Sequence, residues 1–249
     1  MAAESTGRRA ATTPTRAHGA VKVRPRRNRA GRRRLRRLLG LVAALLVAGV
    51  IAWLVWFSPV LVARSVQVRG NELTTSDEVV AAAAVPLGRP LARLDTGAIA
   101  DRVAALDPVA DVDVSRVWPR TVRIDVTERS LVYQREDKGT YQWIDADGVV
   151  FHESTTAADA LVAHTATTDE RLLGDVATVV AALPEEIRGQ VTEIVGSSPD
   201  QIVLVLDAGR QVVWGSAEQS AEKARVAVVL LGRPGTVIDV SSPGHPAVR

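Results

Sequence analysis

The chain has 249 residues, with 31 Lys and Arg against 28 Asp and Glu, four His and no Cys, for a formal net charge of +3. The lack of Cys excludes disulfides and thiolate metal sites, so any exported part must fold by burial alone. A hydrophobic content of 47% excludes a wholly disordered chain, and the charge is too unevenly spread for the net value to describe either half. Residues 1–37 hold thirteen Arg or Lys against one acid, Glu4, together with Pro14 and Pro25. They have too few apolar residues to offset the entropy of folding, which predicts a disordered basic tail. Leu38–Phe57 follows, a run of 20 residues without a charge. At about 1.5 Å per residue a helix of this length spans about 30 Å, the thickness of a bilayer's hydrocarbon core. Backbone polar groups in lipid must pair within the segment, which predicts one transmembrane helix over 38–57. Ser58-Pro59 stops it, because the residue before Pro is pushed out of the α region.

The membrane-interface residues expected from this pattern are Arg36 and Arg37 at one end and Trp53 and Trp56 at the other. Positive charge stays inside, which predicts a cytoplasmic N-terminus and an exported C-terminal part: a single-pass type II protein of the cell membrane. A cleaved signal peptide is the rival reading, but its apolar region is usually shorter, and Leu61-Val62-Ala63 is a poor cleavage site. An Arg-rich arm can also bind nucleic acid. This one has no aromatic residue to stack on bases, so no nucleic-acid partner is expected, and attraction to the lipid bilayer explains the charge better.

After the anchor, Ser65–Arg69 alternates polar and apolar as a half-buried strand, ended by Gly70-Asn71. Thr75-Ser76-Asp77-Glu78 reads as a capping box for a helix through about Ala84. Asp95 or Thr96 caps a second helix, with Ile99, Val103 and Leu106 on one face and Asp107-Pro108 as its stop. Ala110, Val112 and Val114 alternate in one strand and Val122, Ile124 and Val126 in the next. The short link between them, Trp118-Pro119-Arg120, predicts an antiparallel hairpin, with the Trp118 indole closing the core; the other reading of Trp118-Pro119 is a recognition anchor.

Three stretches stand out within residues 60–129: Val66-Gln67-Val68-Arg69-Gly70-Asn71, Leu94-Asp95, and Trp118-Pro119-x-Thr121-Val122-x-Ile124-x-Val126-x-Glu128-Arg129. With the order β-α-α-β-β they resemble a POTRA domain, and their place behind the predicted membrane helix resembles the bacterial FtsQ/DivIB cell-division family. A Pro usually follows that Glu-Arg; Ser130-Leu131 stand here instead.

Residues 130–249 read as a mixed domain with a mainly antiparallel sheet, so the fold class expected for the whole chain is α+β. Strands are expected at Leu131–Gln134, Tyr141–Ile144, Val149–Phe151, Val191–Val195, Ile202–Leu206, Gln211–Trp214 and Val237–Val240. A polar loop is expected at 136–139, an Asp-Gly turn at 145–148 and a Thr-rich loop over 154–170. An amphipathic helix runs from Leu172 to Leu183, and Glu185-Glu186 suits the first turn of a short helix after Pro184. Ser216-Ala217-Glu218-Gln219 reads as a second capping box, opening a helix through about Leu231. Ile144-Asp145-x-Asp147-Gly148, Val213-Trp214-Gly215 ahead of Lys223, and Ile238-Asp239-Val240 resemble the second exported domain of the same family.

No catalytic constellation emerges. The four His lack metal-ligand spacing, and Asp145-x-Asp147-Gly148 lacks the later ligands of a calcium loop, so no metal, cofactor or small-molecule substrate is expected. The remaining candidate is a sheet edge, whose unpaired N–H and C=O groups can take another chain's strand. Residues Thr236, Val237, Ile238, Asp239, Val240, Ser241 and Ser242 form the candidate partner-binding strand, with no later strand expected to cover it. The other reading is that this strand only completes the sheet. The resemblance implies that this end receives the exported segment of a small division protein, FtsB, which travels with FtsL. It further implies a non-enzymatic scaffold at the division septum that links assembly to septal wall-synthesis proteins. The alternatives are a POTRA module for polypeptide binding or transport, and a wall-processing enzyme, for which the residues are not seen.

Overall fold

The computed structural model describes residues 29–57 and 60–249; the tail before residue 29 and the Ser58-Pro59 stop lie outside the described residues. Helix α1 runs Arg29–Phe57. Residues 29–37 are therefore helical rather than part of the disordered tail. A helix nucleated in the apolar run extends at little cost, one hydrogen bond per residue fixed, and Arg is a good helix former. Within it Arg36–Trp56, 21 residues of mean hydropathy 2.8, is long and apolar enough to cross a membrane.

After α1, the first unit is built from β1 (Ser65–Arg69), α2 (Ser76–Ala83), α3 (Thr96–Ala104), β2 (Val109–Val117) and β3 (Thr121–Glu128). β3 is central, with β1 parallel on one side and β2 antiparallel on the other. The capping box forms as expected: Thr75 Oγ1 accepts from the Glu78 N–H, and the Glu78 carboxylate accepts from the Thr75 N–H at 2.8 Å. Asp95 caps α3 through the Ala98 N–H at 3.0 Å. Both helices press Val79, Ala83, Ile99 and Val103 onto Val122, Ile124 and Val126, giving this unit a core of its own.

Two expectations fail here. Ala110 is exposed and Val109 is buried instead, because the pairing slips by a residue between Val109 and Asp111 and puts Ala110 in a bulge. Trp118 is 49% exposed and does not close the core. The interior is already filled from the helix side, and the indole sits on a turn at the sheet's end.

The second sheet has nine strands. They are β4 (Tyr133–Asp137), β5 (Thr140–Ile144), β6 (Val150–Ser154), β7 (Val162–Thr165), β8 (Val191–Ser198), β9 (Gln201–Leu206), β10 (Gln211–Gly215), β11 (Val237–Asp239) and β12 (Ala247–Val248). Their spatial order is β12-β11-β10-β9-β8-β7-β4-β5-β6. Strand β7 was expected to be loop. It is four residues long, lies between β4 and β8 and is parallel to both. A strand so short leaves no alternation to read, and its existence depends on its two neighbours. The expected loop at 136–139 is also tighter: Glu136 and Asp137 belong to β4, leaving Lys138-Gly139 to turn at positive φ.

Two parallel connections set the helical layer. Helix α4 (Glu170–Ala182), followed by α5 (Glu185–Arg188), links β7 to β8, and α6 (Ser220–Leu231) links β10 to β11. A crossover between parallel strands must pass over a face of the sheet, so these helices cover the core. That core includes Leu173, Val176 and Val180 of α4 and Ile194, Leu204 and Trp214 of the sheet. The Asp-Gly turn closes against α4. Gly148 sits at φ +84°, and a Cβ there would lie 2.4 Å from the Gly174 nitrogen. Asp145 accepts the N–H groups of Asp147 and Val149 at 2.9 and 2.8 Å and is ion-paired with Arg129, so its oxygens are spent on the turn and the domain junction.

Candidate docking surface

The expected docking strand lies in the sheet, but its exposure is mixed. Val237, Ile238 and Asp239 pair in parallel with Gln211, Val212 and Val213. Ile238 and Val240 are fully buried in the core, and the Val240 N–H donates to the Val213 carbonyl at 3.0 Å. These two residues anchor the strand and offer a partner no side chain. Thr236, Ser241 and Ser242 are exposed, and Val237 and Asp239 are half-buried.

The expectation that nothing later covers this strand is overturned. β12 pairs antiparallel with β11, Ile238 with Val248 and Asp239 with Ala247. The Thr236 and Val237 N–H groups donate to the Arg249 carbonyl at 2.7 and 2.9 Å, and the Arg249 N–H donates to Val237 at 2.9 Å. Pro243, Gly244 and Pro246 read as breakers, but they turn the chain back instead of ending its pairing. Gly235 makes room for the return: a Cβ there would lie 2.5 Å from Val248 Cγ1. Asp239 ties the segment together, accepting from the Ser241 N–H and hydroxyl at 3.1 and 2.7 Å and facing Arg249 at 3.6 Å.

Beside this edge lies a feature that the strand pattern did not reveal. Helix α6 buries Ser220, Lys223, Ala224, Ala227 and Leu230. Its outer face carries Glu222, Arg225, Val226 and Val229, and Val229 is 70% exposed. With Leu230 and Pro246 these residues line an apolar groove of about 470 Å³. A second groove of about 430 Å³ runs along the other flank of α6, between Val228 and Ala224 and the Leu183-Pro184 corner. The sequence signal was present: Val226, Val228, Val229, Leu230 and Leu231 are more apolar residues than one buried stripe can absorb.

The link that aims α6 is held by buried polar groups. Ser216 is not the helix cap expected of it. The helix starts at Ser220, after Gln219 in a left-handed conformation, and Ser216 turns its carbonyl to the Lys223 ammonium at 2.8 Å. Burial holds the Lys223 pKa below the usual lysine range, against the opposing pull of Glu218 and Asp200. The Trp214 indole N–H donates to Ser220 Oγ at 3.0 Å, which donates to the Ala217 carbonyl at 2.7 Å.

The four residues expected at a membrane interface, Arg36, Arg37, Trp53 and Trp56, all lie on α1 and are exposed, with the Arg pair N-terminal to the Trp pair. Among the described residues, no group of three or more His, Asp or Glu is arranged to hold a metal ion.

Comparison with known proteins gives concordant matches. The family model for the FtsQ-type POTRA domain matches residues 62–129, and that for the FtsQ/DivIB cell-division C-terminal domain matches 132–241. The chain is similar to the cell division protein FtsQ of Streptomyces bingchenggensis, 38% identical over 90% of this chain and 89% of that protein. It is similar to FtsQ of Mycolicibacterium smegmatis, 38% identical over 84% of this chain and 63% of that protein. The extracytoplasmic domain of the cell division protein DivIB of Geobacillus stearothermophilus aligns at 20% identity, covering 42% of this chain and 93% of that one. Its TM-score of 0.34 is too low to bear on the fold.

Proposed function

The chain belongs to the FtsQ/DivIB family of cell-division proteins, and from that premise we propose that it is a non-enzymatic scaffold of the division machinery, docking partners through its exported domains. The basic flank of α1 supports a cytoplasmic N-terminus and an exported remainder, a type II topology at the division septum. The expected partners are small membrane proteins of the FtsB and FtsL type, with septal wall synthesis downstream of their assembly.

The observation that carries the docking site is the pairing of a minimal cover strand with an apolar groove. β12 is two residues long, and an incoming strand could remake its backbone bonds to residues 236–239. Such an exchange is close to neutral in hydrogen bonds. The net gain then comes from apolar side chains entering the groove of Val226, Val229 and Pro246. The partner is thus expected to bring a strand for residues 236–239 and an apolar segment for α6.

A disulfide lock tests this. The chain has no Cys, and Asp239 and Ala247 are register partners, so Asp239→Cys with Ala247→Cys places two thiols opposite each other. The full chain, oxidised or reduced, is used to capture FtsB- and FtsL-type proteins from solubilised membranes. Capture only by the reduced form supports strand exchange. Equal capture by both keeps the scaffold and removes this site from it. No division partner in either sample would overturn the scaffold itself.

A further inference from the structure

Trp118 has no role in the core or in the docking surface described above, and the residues around it form a coherent face. Three segments meet at the end of the POTRA sheet where the chain enters from α1. The Ala63 N–H donates to the Arg89 carbonyl, the Leu91 N–H to Leu61 and the Gly88 N–H to Ala63, each at 2.9 Å. The Arg64 N–H donates to the Arg120 carbonyl at 2.8 Å, and Arg120 Nε donates to the Val60 carbonyl at 3.1 Å. Residues 60–64, 87–94 and 118–120 are thereby fastened together.

Chain length places this end at the membrane. Leu61 follows Phe57, the last residue of α1, by four positions, which span at most about 14 Å when fully extended. The headgroup layer on each side of a bilayer is itself about 5–8 Å thick. The side-chain chemistry of the face suits such a layer. Leu87 is 57% exposed, Trp118 49% and Val60 54%. Outside α1, the only other large apolar side chains exposed among the described residues are Leu73, Val80 and Val229. Between the apolar tips stand the exposed Arg64, Arg89 and Arg93 and the half-buried Arg120. Arg89 and Arg93 line a recess of about 170 Å³ with Arg102 and Asp95. Arg102 donates to the Ala83 carbonyl at 3.1 and 2.7 Å, and Asp95 caps α3 through the Ala98 N–H at 3.0 Å.

We propose that this end of the POTRA domain is a lipid-docking face, with Leu87 and Trp118 entering the bilayer interface and Arg64 and Arg89 binding the phosphates of anionic headgroups. Amphipathic Trp and long Arg side chains are stable at that depth, where the apolar part is buried and the polar tip stays wet. Docking fixes the tilt of the POTRA domain on the membrane and so sets where the second sheet presents its partner site. It holds whichever side of the membrane the domain occupies.

The chain's lack of Cys makes the test direct. A nitroxide on Leu87→Cys, in the full chain reconstituted in phosphatidylcholine vesicles with or without phosphatidylglycerol, is probed with oxygen and with a water-soluble nickel chelate. A label on Gln201→Cys, at the exposed start of β9 in the second sheet, is the aqueous control. The Leu87 label is expected to be shielded from nickel and open to oxygen, more so with phosphatidylglycerol. Replacing Arg64→Gln and Arg89→Gln should lower the docked-to-undocked ratio about fivefold for each Arg lost, and reversal to Glu should lower it further. Nickel access equal to that of the control in anionic vesicles would overturn the proposal and point to a protein partner for this face. Equal shielding in both vesicles with no effect of charge reversal would also overturn it, because headgroup charge would then play no part.

Discussion

Replacing Val229 by Asp should weaken partner docking without weakening the fold. Val229 lies on the outer face of α6 at the rim of the larger groove and is 70% exposed. Fully burying a Val side chain yields about 1.5–3 kcal/mol. Most of that area is still open in the free chain, so a partner covering it gains about 1–2 kcal/mol, equivalent to about 5- to 30-fold in Kd. A carboxylate adds a desolvation cost on the same side of the ledger and moves the effect toward the upper end. In the unbound chain the same change touches little, and exposed substitutions usually fall within about 0.5 kcal/mol. Calorimetric titration of the full chain in nanodiscs with the exported segment of an FtsB-type partner, beside a thermal melt, reads both quantities. Unchanged affinity at unchanged Tm would refute the assignment of the α6 groove to docking. A large fall in Tm would refute the reading of Val229 as surface.

Three further predictions concern what holds the domains in shape. Glu128 accepts the N–H groups of Glu72, Leu73 and Thr74 at 2.9, 2.7 and 2.8 Å, together with the Thr74 hydroxyl. Burial works to raise its pKa, but these bonds outweigh burial and hold the carboxyl below the usual glutamate value of 4.5. Its contribution is therefore present above that value and lost as pH falls through the lowered one. Glu128→Gln should cost about 1–2 kcal/mol at neutral pH and flatten the acid limb of a urea-denaturation series, and an unchanged limb would count against it. Gly148→Ala forces a Cβ into the α4 backbone at positive φ and should cost about 2–4 kcal/mol, read as a lower Tm. Lys223→Met removes both the bond to the half-buried Ser216 carbonyl and the cost of burying the ammonium, so it should change stability at neutral pH by less than about 1 kcal/mol. With its folded pKa lowered, Lys223 makes the native chain gain stability as pH rises toward the usual lysine value of 10.5, and the Met variant should lose that alkaline rise.

Much of the fold was legible because its signals are local. The capping box at Thr75 and Glu78, the Asp95 cap and the Asp145–Gly148 turn each depend on residues within four positions of one another. The misreadings share a cause. Ser216 has the spacing of a cap, yet the buried Lys223 ammonium competes for it. Ala110 fits the alternation, yet pairing with β3 expels it into a bulge. Strand β7 exists only because β4 and β8 leave a place between them.

The sequence by itself pointed to a candidate membrane span and to the order of elements in two domains, because apolar run length and short-range alternation are written in consecutive residues, and its motifs resembled those of the family that the comparisons then showed. It also named residues 236–242 as an uncovered edge strand, which they are not. Only the tertiary structure decided which side chains of that strand face outward, that Ala247–Val248 already covers it, and that Val229 and Pro246 stand next to it. It alone brought Arg64, Leu87, Arg89 and Trp118 to one end of one domain. Such groupings depend on strand register and helix packing between distant segments, and chain order does not record them.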